Sequence, residues 1–138
     1  RYRSADYRAQ QNSASEVMAI PLDHQNVVVI VFGMADCPAC EHYIPRLVAE
    51  AEALKQHGYP LIVNPEQVLP RNAVPVMIYD AASPDSSVQQ LADRFAIHAT
   101  PSTIVAMRGP GSFRCEGALA NNQITWLLLM ACDAANRP

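Results

Sequence analysis

Residues 26–40 read NVVVIVFGMADCPAC, and this stretch decides the fold. From Val27 to Phe32 the side chains are β-branched or large and apolar without a break. A strand with one wet face alternates. An unbroken run suits a strand covered on both faces, as at the centre of a parallel or mixed sheet. Past Gly33 the period changes: Tyr43, Ile44, Leu47, Val48, Ala51 and Leu54 recur at three- and four-residue intervals, one apolar stripe along a helix. Gly58 and Pro60 end that helix at about Gln56. Cys37 and Cys40 therefore fall where a buried strand gives way to a helix. Pro38 suits the first helical turn, where its missing N–H is not needed, and Pro45 is expected to kink the helix.

Working outward, the LIV of residues 61–63 could form a short strand, while Pro65 and Pro70 break the stretch up to Asn72 into loop or turn. Val74 to Tyr79 is a second convincing strand. Ser86 and Ser87 are expected to cap a helix running to Phe95. Ser102 to Met107 and Phe113 to Glu116 read as two strands of a hairpin about Gly109-Pro110-Gly111, and Asn121 to Cys132 as a strongly apolar last helix. The order is a βαβ unit followed by ββα, which predicts an α/β chain with one mixed sheet between helices. Upstream, Arg1 to Ser15 has no aliphatic residue larger than alanine. Residues 1–16 thus read as an N-terminal arm, and 17–138 as the folded domain.

A chain of 138 residues argues for one domain that buries about two-thirds of its unfolded surface without a disulfide scaffold. With half its residues hydrophobic and 17% charged, it is not of a disordered class. A net charge of −3 is too mild for nucleic-acid binding, or for binding an anionic membrane, by electrostatics. The longest apolar run, Trp126 to Cys132, falls far short of a membrane span. The cytoplasm is the expected compartment. The periplasm or secretion stays open, because the chain begins with Arg1 rather than Met.

The chemistry lies in the cysteines. At the start of a helix, first-turn N–H groups and the helix dipole favour a thiolate at Cys37, making it the nucleophile. Cys40, one turn later on the same helix, can attack the mixed disulfide and release the substrate. Structural zinc would need four ligands. Cys115 and Cys132 are far apart in sequence, and His42 lies too close to Cys40 to form a separate half-site, so no metal and no cofactor is expected. Cys115 and Cys132 read as small packing residues, with a bridge between them left open if the last helix packs on the strand of Cys115.

Four short motifs carry a family resemblance. Cys37-Pro38-Ala39-Cys40, with Pro45 five residues past the second cysteine, resembles the active-site helix of the thioredoxin superfamily. Phe95-Ala96-Ile97-His98-Ala99-Thr100-Pro101-Ser102 resembles that family's approach to its cis-proline. Glu116-Gly117-Ala118-Leu119, with Gln123 beyond, resembles the turn into its last helix. In order, these cover about Asn26 to Ala131. The resemblance implies a thioredoxin-like fold, a central mixed sheet flanked by helices. It implies that Pro101 is cis and packs beside the cysteine pair, and that the Thr100 backbone pairs with an extended substrate. It also places His42 and His98 near the pair, where they could tune it, whereas His24 and His57 read as surface residues.

The departures are specific. Asp36 replaces the family's tryptophan, and its carboxylate opposes thiolate formation at Cys37. With Pro38 and Ala39 it forms the set of residues tuning the pair. The family's buried carboxylate would fall near Val31, Glu41 replaces the usual base after the second cysteine, and about a dozen residues, Leu61 to Asn72, look inserted. CPAC is also similar to the glutaredoxin motif, but no basic residue flanks the pair to hold a glutathione carboxylate.

The function these residues predict is thiol–disulfide exchange on protein substrates by the Cys37/Cys40 couple, served by a redox partner. The alternative is a thioredoxin-like structural or binding module within a larger assembly, with little or no turnover. The apolar breadth of Leu127 to Met130, more than one helix stripe needs, points to such an interface.

Overall fold

A computed structural model describes residues 24–108 and 111–137. The expected arm at 1–16, the domain start near Val17, and the Gly109-Pro110 part of the hairpin turn lie outside the described residues.

The decisive stretch folds as read. Strand β1 (Val27–Gly33) is buried along its whole length, and helix α1 (Pro38–Gln56) follows it. The chain continues through β2 (Leu61–Val63), β3 (Val74–Asp80), α2 (Ser86–Arg94), β4 (Ser102–Met107), β5 (Phe113–Glu116) and α3 (Asn121–Ala135). The sheet order is β2-β3-β1-β4-β5. β3 runs parallel to both β1 and β2, whereas β4 is antiparallel to β1 and β5. The sheet is mixed, with β1 at its centre.

Alternation along β1 explains why no polar residue interrupts it. Val27, Val29 and Val31 face a layer built from α1 and α3, through Tyr43, Ile44, Leu47, Ile124 and Leu128. Val28, Ile30 and Phe32 face the opposite layer, where Val88 and Leu91 of α2 cover them. Both faces are sealed, as a strand at the centre of a sandwiched sheet requires.

In detail, some expectations are met and others corrected. The LIV segment forms the expected short strand, at the edge of the main sheet and parallel to β3. Asn64 prolongs that edge: its N–H bonds the Val76 carbonyl at 2.9 Å and its Oδ1 accepts from Ile78 N–H at 3.0 Å. Asp85, not Ser86 or Ser87, caps α2, its carboxylate accepting from Ser87 N–H at 2.8 Å. The last helix runs three residues beyond Cys132, and the Asn136 side chain closes it by donating to the Cys132 carbonyl at 2.8 Å. Pro45 lies inside α1, which continues through it as one element.

Candidate active site

Cys37 is the N-cap residue of α1. Its sulfur accepts from Cys40 N–H at 3.2 Å, and its carbonyl takes the first helical bond, from Glu41 N–H, at 3.0 Å. This is the place of an N-cap oxygen, so backbone donors and the helix dipole are already aimed at the atom that would carry negative charge. Cys37 and Cys40 form a disulfide, with Cα atoms 5.2 Å apart. The two sulfurs are not equivalent: Cys37 is half-buried while Cys40 is fully buried. A partner can reach the first and not the second.

The second wall of the site comes from the chain before β4. The Thr100–Pro101 peptide bond is cis. Both the carbonyl oxygen and Oγ1 of Thr100 lie 3.7 Å from Cys37 Sγ. Pro101 is buried, and its carbonyl accepts from Gly117 N–H at 2.8 Å, tying the start of β4 to the end of β5. Gly117 has φ +85°, which a side chain would resist. The four residues named from the cysteine pair and the proline segment thus come together. Pro38, Ala39 and Asp36 surround them on the exposed rim. Asp36 sits at φ 58°, a left-handed conformation that aspartate tolerates better than most residues.

Two arginines that the sequence pattern does not single out brace the two walls. Arg46 reaches from α1 to Asn121 Oδ1 at 2.7 Å and the Leu119 carbonyl at 3.2 Å. Arg114 of β5 donates to the carbonyls of Phe95 and Ala96, at 2.7 Å each, steadying the segment that leads into Pro101. No local pattern marks either residue, because each partner is distant in sequence. The signal that was available concerned Tyr43. It lies one turn after Cys40 on the apolar stripe, and it brings a hydroxyl into the core. That hydroxyl is 2.8 Å from Thr103 Oγ1, and burial pushes the phenol up to about 12, the Thr103 hydrogen bond partly offsetting the shift.

The remaining candidates are placed as follows. Cys115 and Cys132 are both free and form no bridge. Cys132 is buried, as a packing residue would be, but Cys115 is only half-buried. Burial raises the Cys132 thiol to about 11. His24, His42, His57 and His98 are all exposed, and His57 folds back on its own helix through Nδ1 and the Ala53 carbonyl, 2.8 Å apart. Val31 is fully buried among apolar side chains. Among the described residues, no three His, Cys, Asp or Glu side chains group to hold a metal ion, and no helix is long and apolar enough to cross a membrane.

No family model matches the chain, and no match is found among curated proteins. Solved structures do match. Chloroplastic thioredoxin z aligns at a TM-score of 0.54 with 20% identity, over 84% of this chain and 85% of that one. The thioredoxin of Malassezia sympodialis, Mala s 13, aligns at 0.54 with 18% identity, over 78% and 76%. Fasciola hepatica thioredoxin aligns at 0.53 with 15% identity, over 93% of both chains. The chain has a thioredoxin-like fold, a five-stranded mixed sheet flanked by helices, and it carries a CXXC disulfide.

Proposed function

We propose that this protein is a thiol–disulfide oxidoreductase that acts on protein substrates through Cys37 and Cys40. The observation carrying this reading is the disulfide at the N-terminus of α1, with one sulfur accessible, the other buried, and Thr100-Pro101 against the accessible one. In the reduced form, the Cys37 thiolate attacks a substrate disulfide. A Cys37–substrate bond forms, and one substrate sulfur leaves as a thiolate. Cys40 then loses its proton and attacks the Cys37 sulfur. The intramolecular disulfide forms and the second substrate sulfur leaves as a thiol. A dithiol partner returns two electrons and two protons to restart the cycle, and the same steps reversed oxidise a substrate. Pro38, Ala39 and Asp36 tune the couple, and the Thr100 backbone holds an extended substrate segment.

The test is direct. Cys37→Ser is expected to abolish reduction of insulin disulfides, and Cys40→Ser to accumulate mixed disulfides resistant to release. A parent protein that neither reduces nor traps substrates overturns the reading. A second reading, as a binding module of a larger assembly, draws on Trp126. This side chain is 63% exposed on α3, beside half-buried Leu129 and Met130. Native-size complexes in which Cys37 resists alkylation would favour it. As compartment we propose the cytoplasm, whose reducing partners keep thiols such as Cys115 and Cys132 free. Thiol trapping from cells that finds those two oxidised would place the protein elsewhere.

A further inference from the structure

Among the described residues, the layer between the sheet and helices α1 and α3 is built of apolar side chains, and a buried pair of hydroxyls meets in it. Thr103 is the β4 partner of Val31 on β1 and of Cys115 on β5, so one row across the sheet reads Val31–Thr103–Cys115. Cross-strand partners share a face, and Val31 belongs to the α1–α3 layer, so Thr103 faces that layer too. Tyr43 meets it from the helix, and neither residue has measurable exposure. A helical side chain leans toward the N-terminus of its helix, so Tyr43 covers the turn that carries Cys40. Each hydroxyl has one proton to donate, and the bond between them uses one of the two. The other remains for a third atom, and neither hydroxyl is exposed to water. Among the described residues, the cysteines packed in this layer are Cys40 and Cys132, with Cys37 and Cys115 at its margin.

We propose that the Tyr43–Thr103 hydroxyl pair positions and stabilises the resolving sulfur, donating its spare hydrogen bond to the Cys40 thiolate once the disulfide has opened. This rests on Cys40 being the resolving thiol. During resolution Cys40 gives up its proton, its thiolate attacks Cys37, and the Cys37–substrate bond breaks with the substrate sulfur taking up a proton as it leaves. A fully buried thiolate is costly without a donor, and β1 offers the layer only valines 27, 29 and 31. The groups acting on Tyr43 are Thr103 on β4, Cys115 on β5 and Arg46, 5.9 Å from its ring on the same helix, while Cys40, three residues earlier on α1, and Cys132 of α3 belong to the same layer. Its phenol, held protonated well past neutral pH, remains a donor throughout the working range.

The experiment follows the Cys40 13Cβ shift against pH in the dithiol form of the full chain. Tyr43→Phe and Thr103→Val are each expected to raise the Cys40 titration midpoint by about one pH unit, roughly a tenfold loss of thiolate at neutral pH. Thr103→Ser, which keeps the hydroxyl, is expected to restore the parental midpoint. Cys115→Ala is expected to leave it unchanged. Should Tyr43→Phe fold poorly, the Thr103→Val and Thr103→Ser comparison decides alone. A Cys40 midpoint indifferent to loss of the hydroxyls overturns the proposal, as does a midpoint that moves only with Cys115→Ala. This titration needs no turnover. A protein that reduces no substrate but shows the shift refutes the proposed function and not this inference.

Discussion

At Asp36 two demands meet in one side chain. The backbone there turns through a left-handed conformation, which Asn and Asp adopt more readily than most residues. The carboxylate is also one residue from the sulfur that the helix N-terminus would stabilise as a thiolate. Asp36→Asn separates them, keeping the turn and removing the charge. Cys37 in the reduced variant is expected to alkylate faster at neutral pH, with its midpoint lowered by less than about one pH unit, since an exposed carboxylate is screened by water and salt. Iodoacetamide rates measured across pH decide it, and an unchanged or higher midpoint would remove Asp36 from the set of tuning residues. The charge was legible in the sequence. The backbone conformation was not, because it depends on how β1 must turn to deliver Cys37 to the start of α1. Tyr43 shows the opposite case: its place on the stripe was legible, but counting tyrosine as apolar concealed the hydroxyl that finds Thr103, sixty residues away.

At the scale of elements, periodicity carried most of the information. An unbroken apolar run can only be buried on both faces, and a three-four stripe only along one face of a helix, so β1 and α1 were fixed by patterns contained within them. Caps and edges were less legible. Before α2, three adjacent residues, Asp85, Ser86 and Ser87, are all good cap formers, and only backbone geometry shows that Asp85 takes the role. Asp85→Ala is therefore expected to cost about 1 kcal/mol, whereas Ser86→Ala should cost less than about 0.5 kcal/mol. Urea melts check this, through a lower midpoint at unchanged slope for the first variant and almost no change for the second. Equal losses in the two would return the cap to the serine. The α3 start shows why alanine can precede a helix without a side-chain cap: Gln123 Oε1 accepts from Ala120 N–H at 2.9 Å, supplying half of a capping box. The segment before Pro101 was recognisable by its residues, yet its bracing was not. Ala96 sits at φ 52°, and the carbonyls of Phe95 and Ala96 converge on Arg114, a partner on a strand not yet formed when that segment is read alone.

For the molecule as a whole, both packed layers hold protons that the unfolded chain would release more readily. Cys132 and Tyr43 lie in the layer beneath α1 and α3, with their groups pushed up to about 11 and about 12 by burial. Tyr79, buried in the other layer beside Phe32, is raised further by the same cause. In each case the neutral form is the one the fold accommodates. Below the unfolded-state values, 9.0 for the thiol and 10.0 for the phenols, both states keep these protons, and the groups contribute no pH dependence. Above them the unfolded chain ionises while the folded one does not, so unfolding releases protons and stability falls as pH rises, by at most about 1.4 kcal/mol per pH unit for each group. The fall begins with Cys132 near pH 9 and steepens when the tyrosines join near pH 10; past pH 11, where the folded thiol ionises too, it continues through the tyrosines alone. Urea midpoints of the oxidised protein, in which Cys37 and Cys40 do not titrate, measure the curve. Cys132→Ala removes the first limb, so decline in that variant should start about one pH unit later. A parent and variant that decline together would mean that Cys132 is not held neutral by the α1–α3 layer, and that α3 packs on the sheet less closely than its buried face requires.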